Sequence, residues 1–178
     1  PTAKRVNFIQ GIASVAALQA LPGLRRLRIS FPLHFAQGLE VGASLSLNGV
    51  CLAVTALHDD AADFDVMQQT LSLTTLGAVK QGSAANVERA AKEGAEVGGH
   101  VLSGNIDVQA AIAQIGTPEN NRGRRIGVPA PWMRYVFAKG YIAVNGASLT
   151  VAEAQRDAGD AGWFEVWLIP ETLRLTTF

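Results

Sequence analysis

The chain is poor in the features that would settle its class at once. One cysteine among 178 residues excludes an internal disulfide framework. No apolar run approaches the roughly 20 residues that a membrane-crossing helix requires, and the opening PTAKRVNF lacks the apolar core of a signal peptide. A cytoplasmic location without membrane attachment is therefore expected. Charge of one sign is also missing: 15 basic residues balance 15 acidic ones, so no field would hold a polyanion, and nucleic acid is not an expected partner. His34 and His58 have no companions at metal-ligand spacing, so no metal is expected. What remains is a chain with 48% apolar residues, enough for one ordinary core or two small ones.

Repetition resolves that choice. NGVCLAV (48–54) returns as NGASLTV (145–151), and VNFIQG (6–11) aligns more weakly with SGNIDV (103–108), both at an offset of 97. FDVMQQTLSLTTL (64–76) matches FEVWLIPETLRLTTF (164–178), where the shared ending T-L-x-L-T-T stands at an offset of 102. Inserted residues in RDAGDAG (156–162) account for the drift. Three blocks in the same order mark a tandem duplication, with units at 1–97 and 98–178.

Each unit is written in strands. ASLSLNGVCLAVTAL and YIAVNGASLTVAEA alternate apolar and polar residues around Asn-Gly, the strongest short hairpin signal, because both residues tolerate positive φ. Short strands punctuated by Gly38, Gly42, Gly77 and Gly82 suit a closed antiparallel barrel, which removes exposed edges. Helices are expected only at 31–37 (FPLHFAQ) and 131–138 (PWMRYVFA), one per unit. After LTTL the first unit continues with GAVKQGSAANVERA, a turn and a strand, whereas the second stops at LTTF. A final strand of the second barrel is expected beyond Phe178.

NGVCLAVT, FDVMQQTLSLTTLG, NVERAA (86–91), GGHVLSGNID, KGYIAVNGASLTV and LIPETLRLTTF together resemble the riboflavin synthase family, which includes the non-catalytic lumazine proteins. The resemblance implies an all-β fold: tandem six-stranded Greek-key barrels with short helices, assembled as a homotrimer through a C-terminal helix (a monomer without that tail). It also implies the reaction, in which one 6,7-dimethyl-8-ribityllumazine gives a four-carbon unit to another, releasing riboflavin and 5-amino-6-ribitylaminouracil. No metal or redox cofactor is implied; lumazine or riboflavin is the bound ligand, and association with lumazine synthase is a further implied partnership. The alternative within the resemblance is a carrier or optical antenna that binds lumazine without converting it. A barrel serving only as a protein-interaction module is a third, remoter reading.

Carried over position by position, the resemblance implies catalytic roles for Cys51, His100, Lys139 and Ser148. In the first unit the implied ligand contacts are Asn7, Phe8, Ile9, Cys51, Leu52, Ala53, Asp65, Val66, Met67, Gln68, Gln69 and Thr70, joined by Gly104, Asn105 and Ile106. In the second they are Lys139, Ser148, Leu149, Thr150, Leu168, Ile169, Pro170, Glu171, Thr172 and Leu173. Plainer roles stand beside these. A lone cytosolic cysteine such as Cys51 is more often a small buried apolar residue, hydroxyls such as Ser148 and Thr150 often satisfy backbone groups, and Lys139 fits a solvated lysine at a helix end. His100 fits a hydrogen-bonded core histidine as well as a proton carrier. Trp163 and Trp167 read as packing residues, and RGRR (122–125) as a solvated loop.

Four departures from the enzyme pattern fall on the first unit's pocket. The usual Met-Phe-Thr-Gly-Ile start aligns with Lys4, Arg5, Val6, Asn7 and Phe8. Asn105 replaces a histidine, so a group that carries a proton gives way to one that only shares hydrogen bonds. Ala53 stands where threonine is usual, and Gln69 where an acid is common.

Overall fold

A computed structural model of the chain describes residues 5–6, 9–91, 100–117 and 122–178. In chain order the elements are β1 (Arg5–Val6), β2 (Gly11–Leu21), β3 (Leu24–Ser30), β4 (Ser44–Leu47), β5 (Val50–His58), β6 (Ala61–Met67), α1 (Gln68–Leu73), β7 (Ala84–Arg89), β8 (Leu102–Ser103), β9 (Ile112–Gly116), β10 (Arg122–Val128), α2 (Ala130–Met133), β11 (Tyr141–Val144), β12 (Ala147–Arg156), β13 (Gly162–Leu168) and α3 (Pro170–Leu175). The expected all-β barrel architecture is present. Strands β2-β3-β6-β5-β4-β7 close on themselves, and β11-β12-β13-β10-β9 repeat five of the six in the same order. Among the described residues the second sheet is open between β11 and β9, the place that β7 fills in the first.

Strand register shows how faithful the repeat is. Val15↔Ile29 and Ala17↔Arg28 flank a bulge in the first barrel; Ile112↔Ile126 and Gln114↔Arg125 flank its counterpart, each residue displaced by 97. On the next strand pair, Val54↔Phe64 and Ala56↔Asp63 answer to Val151↔Val166 and Glu153↔Glu165. Phe64 therefore corresponds to Val166, not to Phe164 as the sequence match suggests, and the offset is already 102 throughout β13. All of the drift lies in the β12–β13 hairpin. The repeated T-L-x-L-T-T has a local cause as well: Thr74 and Thr176 donate their hydroxyls to the carbonyls of Thr70 (2.7 Å) and Thr172 (2.6 Å), satisfying exposed acceptors where α1 and α3 end.

Alternation sets the two cores. Leu27, Ile29, Leu45, Leu47, Leu52, Val54, Phe64, Val66, Ala85 and Val87 fill the first barrel; Ile126, Val128, Leu149, Val151, Phe164, Val166 and Leu168 line the second. The units also interlock. β1 pairs antiparallel with β8, which carries the same position in the other unit (Arg5↔Ser103, Val6↔Leu102). Beyond this ribbon each arm enters the opposite barrel: Ile9, 3% exposed, belongs to the second core, and Ile106 packs against the first. Both Asn-Gly turns meet here, with Asn48, Gly49, Asn145 and Gly146 all at positive φ, as the hairpin reading requires. A Cβ on Gly49 would stand 2.8 Å from the Gly146 nitrogen, and the reverse holds equally, so neither position has room for a side chain. Fully buried Asn86 ties the junction: its backbone N–H donates to Asn48 Oδ1 and its side-chain amide to the Asn145 carbonyl, while its own Oδ1 accepts from Thr177 N–H.

Three expectations are corrected. The helix expected over 31–37 is absent: residues 33–38 form turns, with His34 at φ 66°, while the helix expected over 131–138 shrinks to the four residues of α2. Helices appear instead as α1 and α3, inside the repeated block. RGRR is not a solvated loop: it is the start of β10, whose period of two turns Arg124 inward, 5% exposed, beside Ile126 and Val128. Arg125 faces outward, reaching Glu165 (3.2 Å) and lying over the Trp163 ring (3.8 Å). The corresponding pair in the first unit is Arg28–Asp63, a two-pronged contact at 2.7 and 3.0 Å. There Arg28, assisted by His58 at 3.2 Å, lowers the Asp63 carboxyl to about 2 against the opposing effect of burial.

Candidate functional site

The outward face of each Asn-Gly hairpin offers a small polar shelf. In the second unit Tyr141 stands opposite Thr150 and Ala143 opposite Ser148, so those four side chains share one face while Leu149 points into the core. In the first, Ser44 faces Ala53 and Ser46 faces Cys51, with Leu52 inward. Any pocket built from Cys51 and Ser148 therefore lies on the outside of a barrel, not within it. Leu52, Val66, Leu149 and Leu168, all at most 8% exposed, are core side chains and can offer a ligand only their backbone. Ile9 and Ile106 are similarly committed to packing.

His100 stands beside Ser148 and Tyr141 on this shelf. Its Nδ1 lies 2.9 Å from Ser148 Oγ, and its ring is stacked on Tyr141 with centroids 4.2 Å apart and planes 3° from parallel. The serine hydroxyl and imidazole form a half-buried hydrogen-bonded pair, an arrangement suited to general acid–base chemistry. Lys139 comes next in the same unit. It does not end a helix: it lies in the turn before β11, exposed, with φ 67°, its N–H donating to the Val151 carbonyl at 2.8 Å. The first unit has Gly42 there, at φ 82°, with the same bond to Val54. A lysine thus occupies a left-handed position that suits glycine, which is the kind of local strain found where a side chain has work to do.

On the first unit's shelf, the Cys51 N–H donates to the Gly104 carbonyl at 3.0 Å. Gly104 is pressed so closely that a Cβ would sit 2.5 Å from that of Cys51, which brings the arm bearing Asn105 onto the shelf edge. Asn105 itself is exposed, as are Ala53, Met67, Gln68 and Gln69, with Thr70 half-buried behind them on α1. Asp65 is engaged by Arg26 at 2.7 and 2.9 Å, a hydrogen-bonded pairing that lowers its pKa. Ile169, just before α3, and Pro170 at its start are exposed, Thr172 and Leu173 are half-buried, and Glu171 is held by Arg174 at 2.9 Å. Register makes Asp65 the counterpart of Trp167, so the two lists of contacts are one residue out of step. Asn7 and Phe8 lie outside the described residues.

A cavity of about 710 Å³ opens along the second sheet, lined by Ile126, Val128, Phe164 and Arg124 together with Asn105 and Tyr141. It lies between β11 and β9 and extends to the second shelf, since Tyr141 and Ala143 line it as well. Among the described residues no group of His, Cys, Asp or Glu is placed to hold a metal, and no helix is long and apolar enough to cross a membrane.

The lumazine binding domain model matches residues 7–90 and again 103–178. Riboflavin synthase of Escherichia coli K12 is 43% identical over 172 residues, covering 96% of this chain and 78% of that protein. The chain belongs to the riboflavin synthase family. Riboflavin synthase of Mycobacterium tuberculosis H37Rv is 42% identical, covering 96% of this chain and 84% of the relative. Among solved structures, LumP complexed with riboflavin superposes with a TM-score of 0.79 at 24% identity, over 96% of this chain and 89% of that one. LumP complexed with 6,7-dimethyl-8-(1'-D-ribityl) lumazine gives 0.73 at 23%, over 89% and 84%. At these identities the superposition speaks for the fold alone.

Within this riboflavin synthase family member, Tyr141 is the shelf residue that sequence reasoning missed. Its position opposite Thr150 follows from the hairpin pattern, but its partner His100 is 41 residues away and outside that hairpin. No local pattern announces such a contact.

Proposed function

We propose that this chain is a riboflavin synthase that converts two molecules of 6,7-dimethyl-8-ribityllumazine into riboflavin and 5-amino-6-ribitylaminouracil. The observation that carries the reading is 43% identity to the Escherichia coli enzyme across both units. The reaction supplies its own reason for duplication, because two copies of one substrate call for two related shelves. We divide the chain near residue 97 accordingly, with a lumazine shelf on each unit.

On the second shelf His100 and Ser148 take the proton from the methyl group on lumazine carbon 7. The resulting anion spreads through the ring to the pyrimidine carbonyls, where Lys139 offers a cation to the developing charge. On the first shelf Cys51 or a water held beside it adds to carbon 7 of the other lumazine, making it the four-carbon donor. Thr150 and the exposed residues of α1 and α3 orient the rings, which removes much of the entropy cost of a bimolecular encounter. The four-carbon unit passes from one lumazine to the other, so no external oxidant or metal is called upon. We place the protein in the cytoplasm as a homotrimer in which shelves of neighbouring copies face each other, with lumazine synthase as the associate that supplies the substrate.

Binding without turnover is the other reading. It draws on Asn105, but His100, Ser148, Thr150 and Lys139 together exceed what a passive shelf needs. The test is to mix the protein with 6,7-dimethyl-8-ribityllumazine and follow riboflavin appearance and ligand fluorescence anisotropy. Riboflavin formation that disappears in Ser148→Ala is expected; raised anisotropy with no riboflavin would establish a carrier.

A further inference from the structure

The two shelves differ in one respect that the repeat isolates. Displaced by 97, Tyr141 corresponds to Ser44, Ser148 to Cys51, and His100 to Ala3. The histidine, its hydroxyl partner and the aromatic ring beneath it therefore exist as a set in the second unit alone. Tyr141 is 54% exposed, an unfavourable place for an aromatic ring unless something covers one face, and that cover is the imidazole, nearly parallel at 4.2 Å. His100 sits on the arm that joins the units, outside the sheet; its hydrogen bond to Ser148 Oγ fixes one ring nitrogen but leaves the plane free to swing about that bond.

We propose that Tyr141 is a positioning residue for the reaction: its ring fixes the plane of His100 so that Nδ1 stays directed at Ser148 Oγ, which confines this hydroxyl–imidazole pair to the second shelf. Small Ala143 stands opposite Ser148, two residues from Tyr141 on the same face. The phenol hydroxyl is not required for this. The ring is.

This assignment rests on the synthase reading, and its test separates the two. Nitrogen NMR of the imidazoles in ¹⁵N-histidine-labelled protein without substrate reports the tautomer of His100 directly, with His100→Gln used to assign its signals. In the wild type one tautomer with a hydrogen-bonded Nδ1 is expected; in Tyr141→Ala the two ring nitrogens shift toward the averaged values of a free imidazole, and in Tyr141→Phe they stay as in the wild type. In turnover, Tyr141→Ala lowers kcat about 2- to 13-fold, matching the 0.5–1.5 kcal/mol of a stacked aromatic pair, and moves the acidic limb of the kcat–pH profile, while Tyr141→Phe restores both. Unchanged nitrogen shifts in Tyr141→Ala, or a Phe variant that behaves like Ala, would overturn the assignment. NMR changes as expected in a protein that makes no riboflavin would keep the stack and remove the synthase reading instead.

Discussion

Replacing Lys139 with glycine separates what its backbone costs from what its side chain does. At φ 67° a residue with a Cβ gives up about 1–2 kcal/mol relative to glycine. Glycine returns roughly 0.5–1 kcal/mol of that through the greater freedom of the unfolded chain. Lys139→Gly should therefore be more stable than the wild type by about 0.5–1 kcal/mol, a rise in Tm of about 1–4 °C for a chain of this length. Lys139→Ala keeps the unfavourable dihedral and gains nothing. The first unit already contains the control, since Gly42 holds the same turn with the same 2.8 Å bond. Both variants lose the ammonium group and should lose turnover alike, by about 10²-fold, as when one charge-stabilising donor is removed from an active site. Scanning calorimetry with riboflavin formation followed on the same samples reads both effects. Equal melting temperatures for the Gly and Ala variants would refute the backbone half of the reasoning, and full turnover in either would refute the side-chain half.

Other perturbations probe other contacts. Gly104→Ala drives a methyl group into Cys51 and should cost about 1–3 kcal/mol in urea unfolding; adding Cys51→Gly should recover much of it. Ile9→Ala empties a place in the second core and should cost about 2–5 kcal/mol although the residue belongs to the first unit; a loss under 1 kcal/mol would mean that the arm does not enter that barrel in solution. Asp63 is held near 2, below its usual 3.8, chiefly by the Arg28 hydrogen bond, so its charged form stabilises the fold. That contribution, about 2 kcal/mol, is complete above pH 4 and lost as pH falls toward 2. The stability gap between wild type and Asp63→Asn should shrink by about that amount between pH 6 and pH 2; a gap independent of pH would contradict the pairing.

Much of this architecture was legible because its determinants are local. Asn-Gly forces the two turns, alternation separates Leu52 and Leu149 from Cys51 and Ser148, and the duplicated blocks give the order of strands. The misalignment of Phe64 with Phe164 has a physical reason: a slip of two residues leaves every side chain on its proper face, so alternation cannot detect it and only the hydrogen-bond ladder can. RGRR misled because charge suggests solvent, whereas β10 buries Arg124 at the place where its counterpart Leu27 fills the first core. The His100–Tyr141 stack and the crossing of Ile9 and Ile106 depend on chain segments far apart, and no window along the sequence contains both partners.

That crossing bears on how the two units came to be joined. A single unit with its arm extended lacks the isoleucine that completes its own barrel and carries one that fits another, so a half-length ancestor would have been complete only as a pair of chains exchanging arms. In one chain that concentration-dependent encounter becomes an internal one, with a tether that keeps the effective concentration of each arm in the millimolar range. A tether of this kind also lets the two halves differ, and they do: one shelf carries Cys51, the other Ser148 with His100 and Tyr141.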